Sequence, residues 1–241
     1  MGIFDFLGGS GPEKALKLKS KVTQKYGDPS TRQKALQQLG EMQFPEAVSV
    51  LLHRYTITVE PLTTDADEKE HVFELIKSFG KDAIPPVTEF LRKNEQATSW
   101  ALRILEALLP EAEVVTLVVD ALQHLGSQYM RDPEKKVVLL HYVTGKQDAR
   151  IAPAVLPHLD DMADEVKIAA LKALGPQKHE PAREPILHLL TAPDTARRVQ
   201  VAALEALQES GFGVQGYREK VDAVLADPYY VDGGGLVKRR G

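Results

Sequence analysis

Seven histidines, His53, His71, His124, His141, His158, His179 and His188, are the side chains of this sequence best suited to metal binding or to proton transfer near neutral pH. His158 precedes Asp160 and Asp161 closely enough to offer three donors to one ion. The same residues read more simply as a helix end with solvated charges. His141 falls on an apolar stripe and reads as a hydrogen-bonded interior histidine. The absence of cysteine removes thiol nucleophiles, disulfides and thiolate zinc sites, and suits a reducing, cytoplasmic setting. Gly233–Gly235 has no strand-to-helix context and reads as a turn, not a phosphate loop. No Gly-x-Ser-x-Gly, His-Glu-x-x-His or calcium-loop pattern occurs. The expectation is therefore no catalytic residue, no metal and no cofactor.

The elements that must position any site are helical. Of the 241 residues, 43% are hydrophobic and only 6% aromatic, a mix that favours helices over sandwiches or barrels. One segment recurs. Arg32-Gln33-Lys34-Ala35-Leu36-Gln37-Gln38-Leu39-Gly40 returns as Val166-Lys167-Ile168-Ala169-Ala170-Leu171-Lys172-Ala173-Leu174-Gly175 and as Val199-Gln200-Val201-Ala202-Ala203-Leu204-Glu205-Ala206-Leu207. Weaker copies lie at Val72–Gly80, Ala101–Leu108 and Val137–Gly145. In each, a small or apolar residue, then Leu, then Leu three on, makes a buried stripe at helical spacing. A second helix follows each copy: Ala47–Tyr55, Ala83–Lys93, Ala112–Leu125, Ile151–Leu159, Ala182–Leu190 and Tyr217–Leu225. Pro45, Pro110 and Pro181 stand at starts of second helices, where the missing N–H costs little. Asp28, Asp65, Asp132, Asp164 and Asp194 recur before first helices as N-caps would.

In these motifs the chain resembles HEAT-repeat proteins over residues 28–226, and Val-Lys/Gln-x-Ala-Ala-Leu-x-Ala-Leu resembles the subclass also found in phycobiliprotein lyases. The resemblance implies an all-α fold, a right-handed α-solenoid of about six helix pairs. HEAT-type hydroxylases hold iron through several His-Glu pairs; here His179-Glu180 stands alone, so that carry-over fails. HEAT-like DNA glycosylases use a basic and aromatic concave groove. Trp100 lies beside a stripe position in an acidic neighbourhood, and it reads as packing between units. The expected organisation is a tail at 1–11, a capping helix at 12–27, repeats from 28 to 226 with an acidic insertion at 56–68, and a basic tail or small hairpin at 227–241. Insertions of this kind map to an edge loop. Phe4 and Phe6 are expected to dock on the first helix.

Solenoids bind along a concave row of second helices. That row carries His53, Glu89, Asp120 and His188, flanked by Arg92, Lys93 and Arg183. The expectation is a non-enzymatic scaffold or adaptor that binds a protein partner there. The alternatives are a lyase-like or otherwise catalytic HEAT protein, and a nucleic-acid module using the basic ends. Charge argues against nucleic acid for the body of the chain. Residues 1–40 carry seven basic against three acidic side chains, whereas 41–125 carry seven against fifteen. Basicity is confined to the ends, at Lys14, Lys17 and Lys21 and at Lys238, Arg239 and Arg240. Those ends leave contact with an acidic partner or a membrane surface as a lesser alternative. No apolar run is long enough to span a bilayer.

Overall fold

The computed structural model describes residues 11–240. The N-terminal docking expected of Phe4 and Phe6 lies outside them. The chain divides into two units, residues 1–114 and 115–241. Among the described residues the fold is all-α, apart from one small hairpin. No described helix is long and apolar enough to cross a membrane.

Unit 1 contains α1 (Gly11–Val22), α2 (Pro29–Glu41), α3 (Pro45–Leu51), α4 (Leu62–Ser78), α5 (Ile84–Lys93) and α6 (Thr98–Leu108), and α7 (Glu111–Leu125) begins in it. Helices α2, α4 and α6 pack in one row, and α1, α3 and α5 in another. The period-3.6 stripes explain this. Ala35, Leu36 and Leu39 of α2 and Val72 and Ile76 of α4 are buried, as are Val48 and Leu51 of α3 and Val87 and Leu91 of α5. Helix α1 buries Ala15, Leu18 and Val22 and leaves Lys14, Lys17 and Lys21 exposed.

Asp28 caps α2 by accepting from the Ser30 N–H at 2.9 Å. Asp132 accepts from the Glu134 N–H at 3.0 Å. Asp65 and Asp164 already lie inside helices. Trp100 stacks on Tyr55 at 4.7 Å, and the Arg103 guanidinium sits 5.0 Å from its ring while holding Glu70 with two 2.7 Å hydrogen bonds. Its role is packing.

Unit 2 holds the rest of α7, then α8 (Glu134–Val143), α9 (Ile151–Val155), α10 (Asp164–Leu174), α11 (Arg183–Thr191), α12 (Arg197–Ser210), α13 (Arg218–Val224) and the antiparallel strands β1 (Tyr229–Val231) and β2 (Val237–Arg239). Helices α8, α10 and α12 form one row, and α11 packs against α13 and the 3₁₀ turn Leu156–Asp160 in the other. Strand β2 packs on α12.

The Leu-Gly ending of first helices has a spatial reason in both units. A Cβ on Gly40 would stand 2.7 Å from Leu75, and one on Gly175 would meet the carboxylate of Glu209. In each case the next first helix passes where a side chain would be.

Candidate functional site

The segment expected as an acidic insertion sends four of its side chains, Ile57, Val59, Asp65 and Glu68, into the core. Ile57 and Val59 are buried, and residues 62–68 form the first turns of α4. Asp65 and Glu68 lie on the same helical stripe as Val72 and Ile76 and are buried with them. Arg32 grips Glu68 through both oxygens at 2.6 and 2.8 Å. Arg54, fully buried, donates to Glu68 at 2.9 Å, to Asp65 at 2.8 Å and to the Ile57 carbonyl at 3.2 Å. Lys69 closes on Asp65 at 2.7 Å. Burial by itself would raise both carboxyl pKa values, but hydrogen bonds from Lys69 and Arg54 to Asp65, and from Arg32 and Arg54 to Glu68, outweigh it and hold both below their ordinary range. This is a structural network, and on its open side Glu68 lines, with Gln33, Thr64, Asp67 and His71, a hollow of about 420 Å³. Extending the α4 stripe toward its N-terminus is the sequence signal that would have found it.

Of the residues expected to bind a partner, His53, Glu89 and Lys93 meet in unit 1, with Ser49 and Asn94, around a groove of about 130 Å³. The His53 ring stands edge-on to Phe90, and burial, then the nearby Lys19 charge, push its pKa down. Glu89 is engaged on its own helix by Lys93 at 2.5 Å and Arg92 at 3.3 Å. Asp120 is exposed on the part of α7 that belongs to unit 2. The row is thus divided between the units.

Unit 2 contains a larger, open cleft of about 800 Å³. Helix α11 presents Glu184 and His188, one turn apart on one face. Helix α10 contributes Lys167, the 3₁₀ turn contributes Leu159 and Asp160, and the loop after α11 contributes Asp194 and Thr195. That loop is shaped by the Thr195 hydroxyl, which donates to the Leu189 carbonyl at 2.7 Å. Tyr217, just before α13, donates its hydroxyl to Glu184 at 2.7 Å. The Glu184 hydrogen bond, then burial, raise the Tyr217 pKa and keep its proton on. Pro185, Leu189 and Ala192 add apolar surface.

Arg183, expected to flank the binding row, pairs with Glu184 at 3.3 Å. It donates to the Gly213 carbonyl at 2.8 Å and the Gln215 carbonyl at 2.6 Å, and so pins the loop that carries Tyr217. Arg218 ties the same region to the hairpin through the Val231 and Asp232 carbonyls. The exposed hairpin residue Arg240 pairs with Asp227 at 3.4 Å. Lys238 and Arg239 are also exposed.

Two histidine expectations are corrected. His158 is fully buried, with Nε2 3.2 Å from the Leu122 carbonyl, so it is not a solvated helix end. Burial dominates in pushing its pKa down, and its neighbours are the buried pair Lys136–Asp161. His141, read as interior, is exposed. Its helix turns Leu139, Leu140 and Val143 inward instead. Among the described residues no three His, Asp or Glu side chains are grouped to hold a metal ion.

The cleft's sequence signal was partial. His188 was legible from the repeat register, and Glu184 follows from it by one helical turn. Lys167, Asp194 and Tyr217 come from separate elements that only folding brings together.

No protein-family model matches the chain, and no curated protein matches it in sequence. Among solved structures it is similar to human deoxyhypusine hydroxylase in complex with glycerol, at 13% identity, over 89% of this chain and 95% of that one, with a TM-score of 0.37. That neighbour is an enzyme, and this corrects the expectation of a non-enzymatic scaffold: helical architecture gave no ground for excluding catalysis. At so low a likeness none of that enzyme's chemistry passes to this chain.

Proposed function

We propose that this is a catalytic helix-pair protein of the HEAT type, whose site is the cleft of unit 2. The cleft binds a small substrate that carries a cationic group beside an apolar one, and acts on it by proton transfer. The observation that carries this reading is the Tyr217–Glu184 hydrogen bond in the wall that also presents His188. A proton donor, a carboxylate and an imidazole converging on one cleft are the parts that acid–base catalysis needs. Glu184 faces Arg183 at 3.3 Å, but Asp160 and Asp194 still outnumber Lys167, so the wall favours a cation, and Pro185, Leu189 and Ala192 offer its apolar part a surface.

The test is a titration with hexylamine followed by NMR of the histidine rings. The His188 resonances are expected to shift saturably, and the Glu184→Gln/Asp194→Asn variant to lose the response. An amine that leaves His188 unmoved, or that moves it equally in the variant, would remove the cleft from consideration.

A further inference from the structure

Lys167 is out of keeping with how this molecule treats its other partly or fully buried lysines. Lys69 is paired with Asp65 at 2.7 Å, and Lys136 donates to both Asp161 and the Gln128 carbonyl. Lys167 is half-buried in the cleft wall, and among the described residues its ammonium has neither a hydrogen bond nor an ion pair. The carboxylates nearest to it in sequence on α10 are committed elsewhere. Asp164 and Glu165 each hold Arg198 at 3.0 Å. Asp160 shares the cleft yet does not reach it. An ammonium in a cleft wall with no protein counter-charge is left to water, and an anionic group entering the cleft would pair with it.

From this we infer that the cleft selects an amphoteric ligand, in which one end is an ammonium and the other a carboxylate, separated by an aliphatic spacer. Lys167 takes the carboxylate, Pro185 and Leu189 take the spacer, and the cleft carboxylates take the ammonium. The inference rests on the cleft reading above and adds a second charge to its ligand. It makes Lys167 a specificity-determining residue. A simple alkylamine satisfies the acidic side of the wall and leaves the lysine unpaired. A simple carboxylic acid does the reverse.

Three probes of equal chain length separate these cases: hexylamine, hexanoate and 6-aminohexanoate, titrated by NMR into the full chain and into Lys167→Met, which keeps the aliphatic stem. In the wild type, 6-aminohexanoate is expected to bind about tenfold more tightly than hexylamine, the gain of roughly one charge-assisted contact. In Lys167→Met that advantage disappears, and hexylamine, freed of a like charge in the wall, binds no more weakly than to the wild type. Equal binding of hexylamine and 6-aminohexanoate to the wild type would overturn the role of Lys167 and leave the cleft reading standing. Binding of hexanoate with no response to either amine would overturn the cationic-substrate reading, and amphoteric selection with it. No response to any probe would overturn both. The wild-type comparison decides the matter even if Lys167→Met folds poorly.

Discussion

Each unit buries a basic side chain near the start of a first helix and lets it reach back eight residues to a main-chain carbonyl. In unit 1 Arg32 donates to the Gln24 carbonyl at 2.8 Å, and in unit 2 Lys136 donates to the Gln128 carbonyl. The units then diverge. Arg32 and Arg54 are planar forks, so one carboxylate, Glu68, serves both and the network extends to Asp65 and Lys69. Lys136 is a point charge and closes on a single carboxylate, Asp161, beside the buried His158. Unit 1 commits these buried charges to structure. Unit 2 keeps Lys167, His188, Asp160 and Asp194 facing an open cleft, which is why it is the unit that offers chemistry.

The largest expected effects lie in the helix stripes of unit 2. Leu171→Asp and Leu204→Asp place an unpaired charge where the wild-type side chains are fully buried, and should cost more than about 4 kcal/mol in denaturant unfolding. If either variant unfolds like the wild type, the helix register of unit 2 is wrong.

Next comes the contrast in buried charge. Glu68→Gln strips two arginines of a shared carboxylate and should destabilise by about 3–5 kcal/mol. Asp161→Asn leaves one lysine, which still has the Gln128 carbonyl, and should cost less. Equal losses in urea unfolding would mean that the arginine network is no more than a set of separate pairs.

The units should also part company in acid. The folded-state pKa of His158 lies below its ordinary value, so its contribution is complete above about pH 6.5 and fades as pH falls below that. Asp65 and Glu68 have folded-state pKa values below the ordinary carboxylate range. Their contribution is complete above that range, about pH 4, and fades only as pH falls through it. Native-state amide exchange, corrected for intrinsic rates, should therefore show protection weakening around α9 and α10 between pH 6.5 and about 4.5 while α2 and α4 hold. Simultaneous loss would refute the separation.

A smaller contrast comes from the two glycines. Gly40→Ala meets the half-buried Leu75 and should cost about 1 kcal/mol, whereas Gly175→Ala meets the exposed, flexible Glu209 and should be close to neutral. Thermal melts of the two variants test it. The smallest effect is expected at the basic face of α1. Replacing Lys14, Lys17 and Lys21 by Gln should change stability by less than about 0.5 kcal/mol, because all three are exposed. A larger loss would mean that these lysines hold the helix in place.

What the sequence by itself determined is the local part of this protein. The stripes of Ala35, Leu36 and Leu39, of Ala15, Leu18 and Val22, and of Ala170, Leu171 and Leu174 announce their helices, because a buried face must repeat with the helical period wherever it occurs. The same logic has a blind side: it sorts residues by type, so Asp65 and Glu68 were assigned to a solvated insertion although they continue the stripe of Val72 and Ile76. Tertiary structure decided which charges have partners. Whether a carboxylate is buried, exposed or aimed at a cleft depends on a counter-charge that is remote in the chain, as Arg32 is from Glu68 and Glu184 from Tyr217. Periodicity reports the environment of one helix face. The energy of a charge depends on distances between elements, and those exist only once the helices have packed.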